Sequence, residues 1–202
     1  MGIIINPYAV QSASTSSLAF DSATKGTNCT LSAGDKRITS TTTAWSSAKC
    51  LTSYSSGKRH AEFKITAVAT AGALDYAPMF GVVTSAAGMN TYLYAAATSS
   101  VIFGTDTECK YNHLNGGQYD FLPAATPKPT VNDRFGISID FDAKKIWLWW
   151  KGAVFNGGDP AAGTGAFTYT GTPAWLLAAS VYGLNSGELV SPIYTPSGFA
   201  VW

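Results

Sequence analysis

Charge is scarce in this sequence. Of 202 residues only 12% are charged, 13 Lys and Arg against 12 Asp and Glu, for a formal net charge of +1. No basic block of the kind that tracks phosphates is present, which argues against a nucleic-acid partner. No apolar run approaches the roughly 20 residues that a membrane-spanning helix needs, so no membrane insertion is expected. The start, Met1-Gly2-Ile3-Ile4-Ile5-Asn6-Pro7-Tyr8, has neither a basic leader nor a small-residue cleavage site and does not read as a signal peptide. Histidine occurs twice, at His60 and His113, far apart and beside no cysteine pair. No metal site and no cofactor are therefore expected. Cysteine occurs three times, at Cys29, Cys50 and Cys109, with no C-x-x-C spacing. A chain made in a reducing cytoplasm keeps such residues as thiols, with a Cys29–Cys50 bridge left open as a product of later oxidation.

Catalytic signatures are missing as well. There is no Gly-x-Ser-x-Gly elbow, and no glycine loop stands at a strand-to-helix junction to cradle phosphate. The acids are scattered, and only Asp140/Asp142 and Asp106/Glu108 lie two apart. Paired carboxylates across a cleft would be needed for glycosidic chemistry, but Asp142 belongs to a turn. The expectation is a protein with no catalytic residues.

Apolar and hydroxylic residues are abundant. Hydrophobic residues make up 46% of the chain, and Ser and Thr number 20 and 23. That balance suits strands and turns, and the length suits one all-β domain of up to about 200–250 residues. The clearest local pattern runs from Asn132 to Gly165. Phe135, Ile137, Ile139 and Phe141 alternate with Gly136, Ser138, Asp140 and Asp142; the polar turn Asp142-Ala143-Lys144-Lys145 follows. Ile146-Trp147-Leu148-Trp149-Trp150 then returns as a second strand ended by Lys151-Gly152. Period-two patterning on both sides of a short turn predicts a hairpin. Phe135, Ile137, Ile139, Phe141, Ile146, Leu148 and Trp150 are its expected core face. After it, Gly157-Gly158-Asp159-Pro160-Ala161-Ala162-Gly163-Thr164-Gly165 reads as a structured loop.

This hairpin and its glycine-rich exit resemble the core of a SPRY domain, in the variant found in bacteriophage virion proteins. There an apolar strand ending Asp-Phe-Asp is followed by an apolar-aromatic strand, Asn-Gly, then Gly-Asp-Pro-Ala-x-Gly-Thr-Gly. Gly158 to Gly165 match that loop throughout, while Lys151-Gly152 stands for Asn-Gly. Weaker likenesses run from Asp21 to Asp35, through Trp45 and Ser55-Ser56-Gly57-Lys58, through Lys110-Tyr111-Asn112, to the closing Pro196-Ser197-Gly198-Phe199. The resemblance implies an all-β fold, a single bent antiparallel β-sandwich of the SPRY, concanavalin-like jelly-roll type, and a protein that binds rather than catalyses. His60-Ala61-Glu62 lacks the aromatics the family carries there, so Trp45 or Trp150 is expected to fill the space. Pro173 to Tyr182, helical by composition, is expected to form a strand.

Two segments carry the functional expectations. Residues 1–17 form an arm outside the domain of residues 18–202. Ile3, Ile4, Ile5, Pro7 and Tyr8 are candidate docking residues for other virion proteins or for a homo-oligomer, because a short apolar strand pairs readily with a sheet edge. From Thr91 to Phe121, Tyr and Phe lie among Asn, Gly, Asp and Gln, the residue types that stack on sugar rings and fork onto hydroxyls. Tyr111, Asn112, His113, Asn115 and Tyr119 are the candidate ligand residues, on expected loops. Together with the phage resemblance, these segments imply a non-enzymatic virion protein made in a bacterial cytoplasm: a tail-fibre or tail-tip adhesin domain meeting a host surface glycan or protein. The alternative is a structural capsid decoration or head-fibre protein without a ligand.

Overall fold

The computed structural model describes residues 18–71, 74–93, 100–105, 109–112, 118–120, 129–154 and 157–202. The 1–17 arm, His113, Asn115 and the 123–128 part of the proline-rich connection lie outside the described residues. In chain order the strands are β1 (Cys29–Ser32), β2 (Arg37–Ser40), β3 (Ser46–Tyr54), β4 (Lys58–Ala67), β5 (Ala69–Ala71), β6 (Leu74–Val83), β7 (Ser100–Thr105) and β8 (Cys109–Asn112). They continue with β9 (Gln118–Asp120), β10 (Arg134–Asp140), β11 (Lys145–Trp150), β12 (Ala153–Val154), β13 (Phe167–Thr168), β14 (Trp175–Val181), β15 (Ser186–Val190) and β16 (Ala200–Val201).

These strands make two sheets. One runs β1-β2-β15-β4-β10-β11-β12, with β13 on β11 and β16 on β4; the other runs β3-β14-β6-β7-β8-β9, with β5 on β6. All pairings are antiparallel except that of the two-residue β16, which lies parallel to β4. The sheets face each other over one core. It holds Phe63, Ile65, Phe135, Ile137, Ile139, Ile146 and Leu148 from the first sheet, and Phe80, Val82, Trp175, Leu177, Ala179 and Val181 from the second. The Phe63 and Phe80 rings stack across it, centroids 5.0 Å apart. Each buried side chain of this size contributes about 1.5–3 kcal/mol.

The expected hairpin is β10–β11, paired Phe135↔Trp150, Ile137↔Leu148 and Ile139↔Ile146. Its turn sits one residue earlier than the sequence suggests, because Asp140 already pairs with Lys145. Asp140 Oδ1 accepts the Ala143 N–H at 2.9 Å, and Asp142 Oδ2 accepts the Gly57 N–H at 3.2 Å. Asp140 thus closes its own turn and also pairs with Lys58 at 3.1 Å, while Asp142 ties that turn to the one between β3 and β4. The second turn, Lys151-Gly152, has φ of 51° and 81° between the paired Trp150 and Ala153. Two positive φ values in a two-residue loop match the right-handed strand twist.

The glycine loop folds back onto this hairpin. Asp159 and Thr164 exchange backbone hydrogen bonds of 3.1 and 3.0 Å, and Asp159 Oδ1 accepts from Ala161 N at 2.9 Å. Lys145 Nζ and Trp147 Nε1 donate to the carbonyls of Gly163 and Thr164, at 2.7 and 2.8 Å. A Cβ on Gly158 would stand 2.7 Å from the Thr164 oxygen, so only glycine lets the loop close.

The structure departs from the sequence pattern on the outer face of the hairpin and at Trp45. The Gly136–Ser138–Asp140 face of the hairpin is not solvated: Ser138 and Asp140 are buried. The C-terminal segment covers it, with Phe199 edge-on to Trp147 at 6.0 Å and Tyr194 beside Trp149 at 5.6 Å. Trp147 and Trp149 are therefore buried within the chain. Trp45 does not fill the core beside Ala61; it is half-buried among the loops, and Trp175 and Trp202 are the fully buried core tryptophans. Trp150 packs on the core from the strand end, only partly buried. Pro173 to Tyr182, by contrast, contains the expected strand, β14, buried on both faces.

Candidate functional site

β14 explains how the loop side of the second sheet is organised. Its inner face, Trp175, Leu177, Ala179 and Val181, belongs to the main core. Its outer face carries Ala178 and Ser180, over which residues 84–93 lie with Ala87, Met89 and Leu93 buried. A hydroxyl chain fixes that cover. The Leu93 N–H donates to Ser180 Oγ at 2.8 Å, and Ser180 and Ser47 share a bond of 2.6 Å. Ser47 Oγ donates to the Thr91 carbonyl. Since the single Ser47 hydrogen goes to Thr91, Ser180 is the donor to Ser47. These bonds bracket Tyr92 on both sides.

Two further loops converge on Tyr92. The Trp45 ring lies 5.7 Å from the Tyr92 ring and 5.1 Å from that of Tyr182. The 41–45 loop and the turn after β14 are joined by the Gly183 N–H on the Thr42 carbonyl, 3.0 Å. Buried Asn185 closes that turn, its Oδ1 accepting from Tyr182 N at 2.8 Å. At its tip Leu184 is 65% exposed with φ of 74°. A bulky residue in the left-handed region is an outlier, and such strain is concentrated where loops are used. Trp45, Tyr92, Tyr182 and Leu184 make an apolar, partly aromatic surface from three loops.

Of the residues nominated from sequence, Tyr111 and Asn112 lie in β8 and Tyr119 in β9. They stand on strands rather than loops, with Tyr111 directly opposite Tyr119 and Asn112 opposite Gln118. Their alternation with polar neighbours is what a short hairpin requires. Among the described residues β9 ends its sheet. The docking candidates Ile3, Ile4, Ile5, Pro7 and Tyr8 fall outside the described residues, as do His113 and Asn115.

A second polar constellation lies on the outer face of the first sheet. Trp149 Nε1 donates to Ser138 Oγ at 2.8 Å, and Ser138 Oγ bonds His60 Nδ1 at 2.7 Å. His60 Nε2 lies 3.8 Å from Glu62 Oε1. That is too long for a hydrogen bond, and among the described residues Nε2 has no hydrogen-bond partner. Burial would raise the Glu62 carboxyl. The His60 edge, the Arg134 guanidinium and the Ile193 backbone N–H outweigh it and hold Glu62 below its ordinary value. Serine, histidine and glutamate are the residue types of a hydrolytic triad, but their geometry here is not that of one. Ser138 is fully buried under Trp149, and Arg134 Nη1 occupies Glu62 Oε2 at 2.7 Å.

Known structures resemble this arrangement of sheets. The SPRY domain of human HERC1 superposes with a TM-score of 0.62 at 14% identity, covering 88% of this chain and all of that one. The TRIM65 PSpry domain gives 0.61 at 13%, covering 87% of this chain and 92% of that domain. The fold is that of a SPRY domain. Stonustoxin is also similar, with a TM-score of 0.60 at 18% identity over 86% of this chain and 27% of the toxin's. No protein-family model and no curated protein sequence matches the chain. On the SPRY fold the two constellations occupy opposite sheets: aromatics gathered by loops on one, a buried polar network bordering a groove on the other.

Proposed function

We propose that the chain is a non-enzymatic bacteriophage virion protein, a tail-fibre or tail-tip adhesin domain that meets a host surface glycan or protein through its loops. The observation that carries this reading is the convergence of Trp45, Tyr92 and Tyr182 beside exposed, left-handed Leu184. Aromatic rings supply large contact area at little entropy cost, and a strained exposed leucine serves no packing need. The β8–β9 hairpin, with Tyr111 opposite Tyr119, extends the same sheet. The virion setting rests on the Gly158–Gly165 loop and its likeness to phage proteins, and the 1–17 arm is the proposed attachment to other virion subunits.

The test is binding of the purified chain to host cells, measured with Leu184→Gly, Tyr92→Ala, Tyr111→Ala and Tyr119→Ala. Leu184→Gly relieves the backbone and should melt no lower than the parent while adsorption falls. An aromatic anchor at the centre of the contact should cost about 2 kcal/mol or more. Undiminished adsorption by all four variants, with unchanged melting, would leave the capsid-decoration alternative in its place.

A further inference from the structure

The first sheet carries a groove that the loop reading does not use. It has a volume of about 450 Å³ and is lined by Glu62, Arg134, Gly136, Trp149, Lys151 and Tyr194 among others. That volume lies within the range of roughly 300–1,000 Å³ typical of small-ligand sites. One wall is the Trp149–Tyr194 ring pair, centroids 5.6 Å apart and tilted by 49°. Trp149 is nearly buried at 8% exposure, held edge-on against His60 and pinned through its Nε1 to Ser138. Tyr194 is 54% exposed and Ile193, at the lip, 77%. A Cβ on Gly136 would come within 3.0 Å of Trp149 Cβ and 3.3 Å of His60. Glycine there leaves the indole room to lie against the sheet and keeps side-chain bulk out of the groove.

The charges around the groove are already matched. Arg134 Nη1 binds Glu62 Oε2 at 2.7 Å and the Ser191 carbonyl at 3.2 Å. Lys151 Nζ pairs with Asp133 Oδ1 at 3.2 Å. Two acids and two bases cancel, so an ionic ligand would have to break a pair to enter. A neutral ligand keeps both pairs and meets charged donors and acceptors, whose hydrogen bonds are about twice as strong as neutral ones. Arg134 and Lys151 each retain N–H groups beyond those pairs. A fixed ring wall, a side-chain-free floor and charge-paired polar groups are complementary to a pyranose: apolar C–H face against the rings, hydroxyls toward the charged groups.

We infer that this groove binds a neutral saccharide. It is a second site, on the sheet opposite the loop aromatics, and it stands whether or not those loops contact a host. The experiment is a titration of the full chain, followed by the indole and backbone N–H resonances, with four neutral probes: maltotriose, lactose, mannotriose and chitotriose. Sialyllactose is the anionic comparator. Saturable shifts of the Trp149 indole and of Gly136 and Lys151 with at least one neutral probe are expected. Tyr194→Ala, at an exposed position, should weaken that binding about tenfold or more. Tyr92→Ala should leave it intact while lowering adsorption to cells, so failure of one site is distinguishable from failure of the other. Absence of saturable shifts with all four neutral probes would overturn the assignment. So would tighter binding of sialyllactose than of lactose, or binding by Tyr194→Ala as tight as by the parent chain.

Discussion

Ser138→Ala removes one oxygen atom from the middle of β10 and separates two descriptions of that strand. By its alternation Ser138 faces solvent, and exposed Ser→Ala changes stay within about ±0.5 kcal/mol. In the structure Ser138 is fully buried and joins two groups, accepting from Trp149 Nε1 and sharing a hydrogen bond with His60 Nδ1. The void left by one oxygen is small, so the cost comes from the abandoned partners. Each buried polar group left unsatisfied costs about 1–3 kcal/mol. Trp149 borders the groove and water recovers part of its bond, whereas His60 is sealed. A total of about 2–4 kcal/mol follows, and at about 2–4 °C per kcal/mol for a domain of this size the melting temperature should fall by roughly 5–15 °C. Differential scanning calorimetry of Ser138→Ala beside Ser53→Ala, an exposed strand position, is the assay. If both variants melted within a degree of the parent, the buried network would be refuted.

Gly187→Ala should also destabilise the fold, since a Cβ there would clash with the Phe63 ring; overpacking of this kind costs about 1–3 kcal/mol, readable as a lowered urea midpoint. Cys29 and Cys50 are free and buried, and burial raises both thiols; in a Cys109→Ser background both should resist Ellman's reagent until denaturant is added, and fast reaction would contradict their placement. Because the Glu62 carboxyl is held below its ordinary 4.5 in the folded state, its contribution is full above that value and is lost as pH falls through the folded value. Glu62→Gln should therefore flatten the acid limb of stability below about pH 4.5 while lowering stability at neutral pH, and an unchanged acid limb would remove Glu62 from the account.

The hairpin, its core face and the glycine loop were legible because their information is local. Period-two apolar residues, a turn able to hold positive φ, and Gly158 where no Cβ fits all lie within one stretch. The outer face was not legible. His60, Glu62 and Ser138 are polar, and what buries them is a segment far along the chain, Ser191 to Phe199, whose own sequence looks like an ordinary tail. Trp45 was misplaced for a similar reason: a tryptophan at a strand start reads as core, and only the loops carrying Tyr92 and Tyr182 draw it to the surface. Tyr111 and Tyr119 were found as aromatics, but the residues around them suggested loops where β8 and β9 pair.

The proposed role is that of a host-contacting module on a virion. Gold-labelled antibody against the chain, imaged on intact phage particles by electron microscopy, tests it most directly. The account predicts label at the tail fibres or tail tip, with antibody fragments covering the Trp45–Tyr92–Tyr182 surface blocking adsorption. Label distributed over the capsid, or particles that carry none, would contradict it.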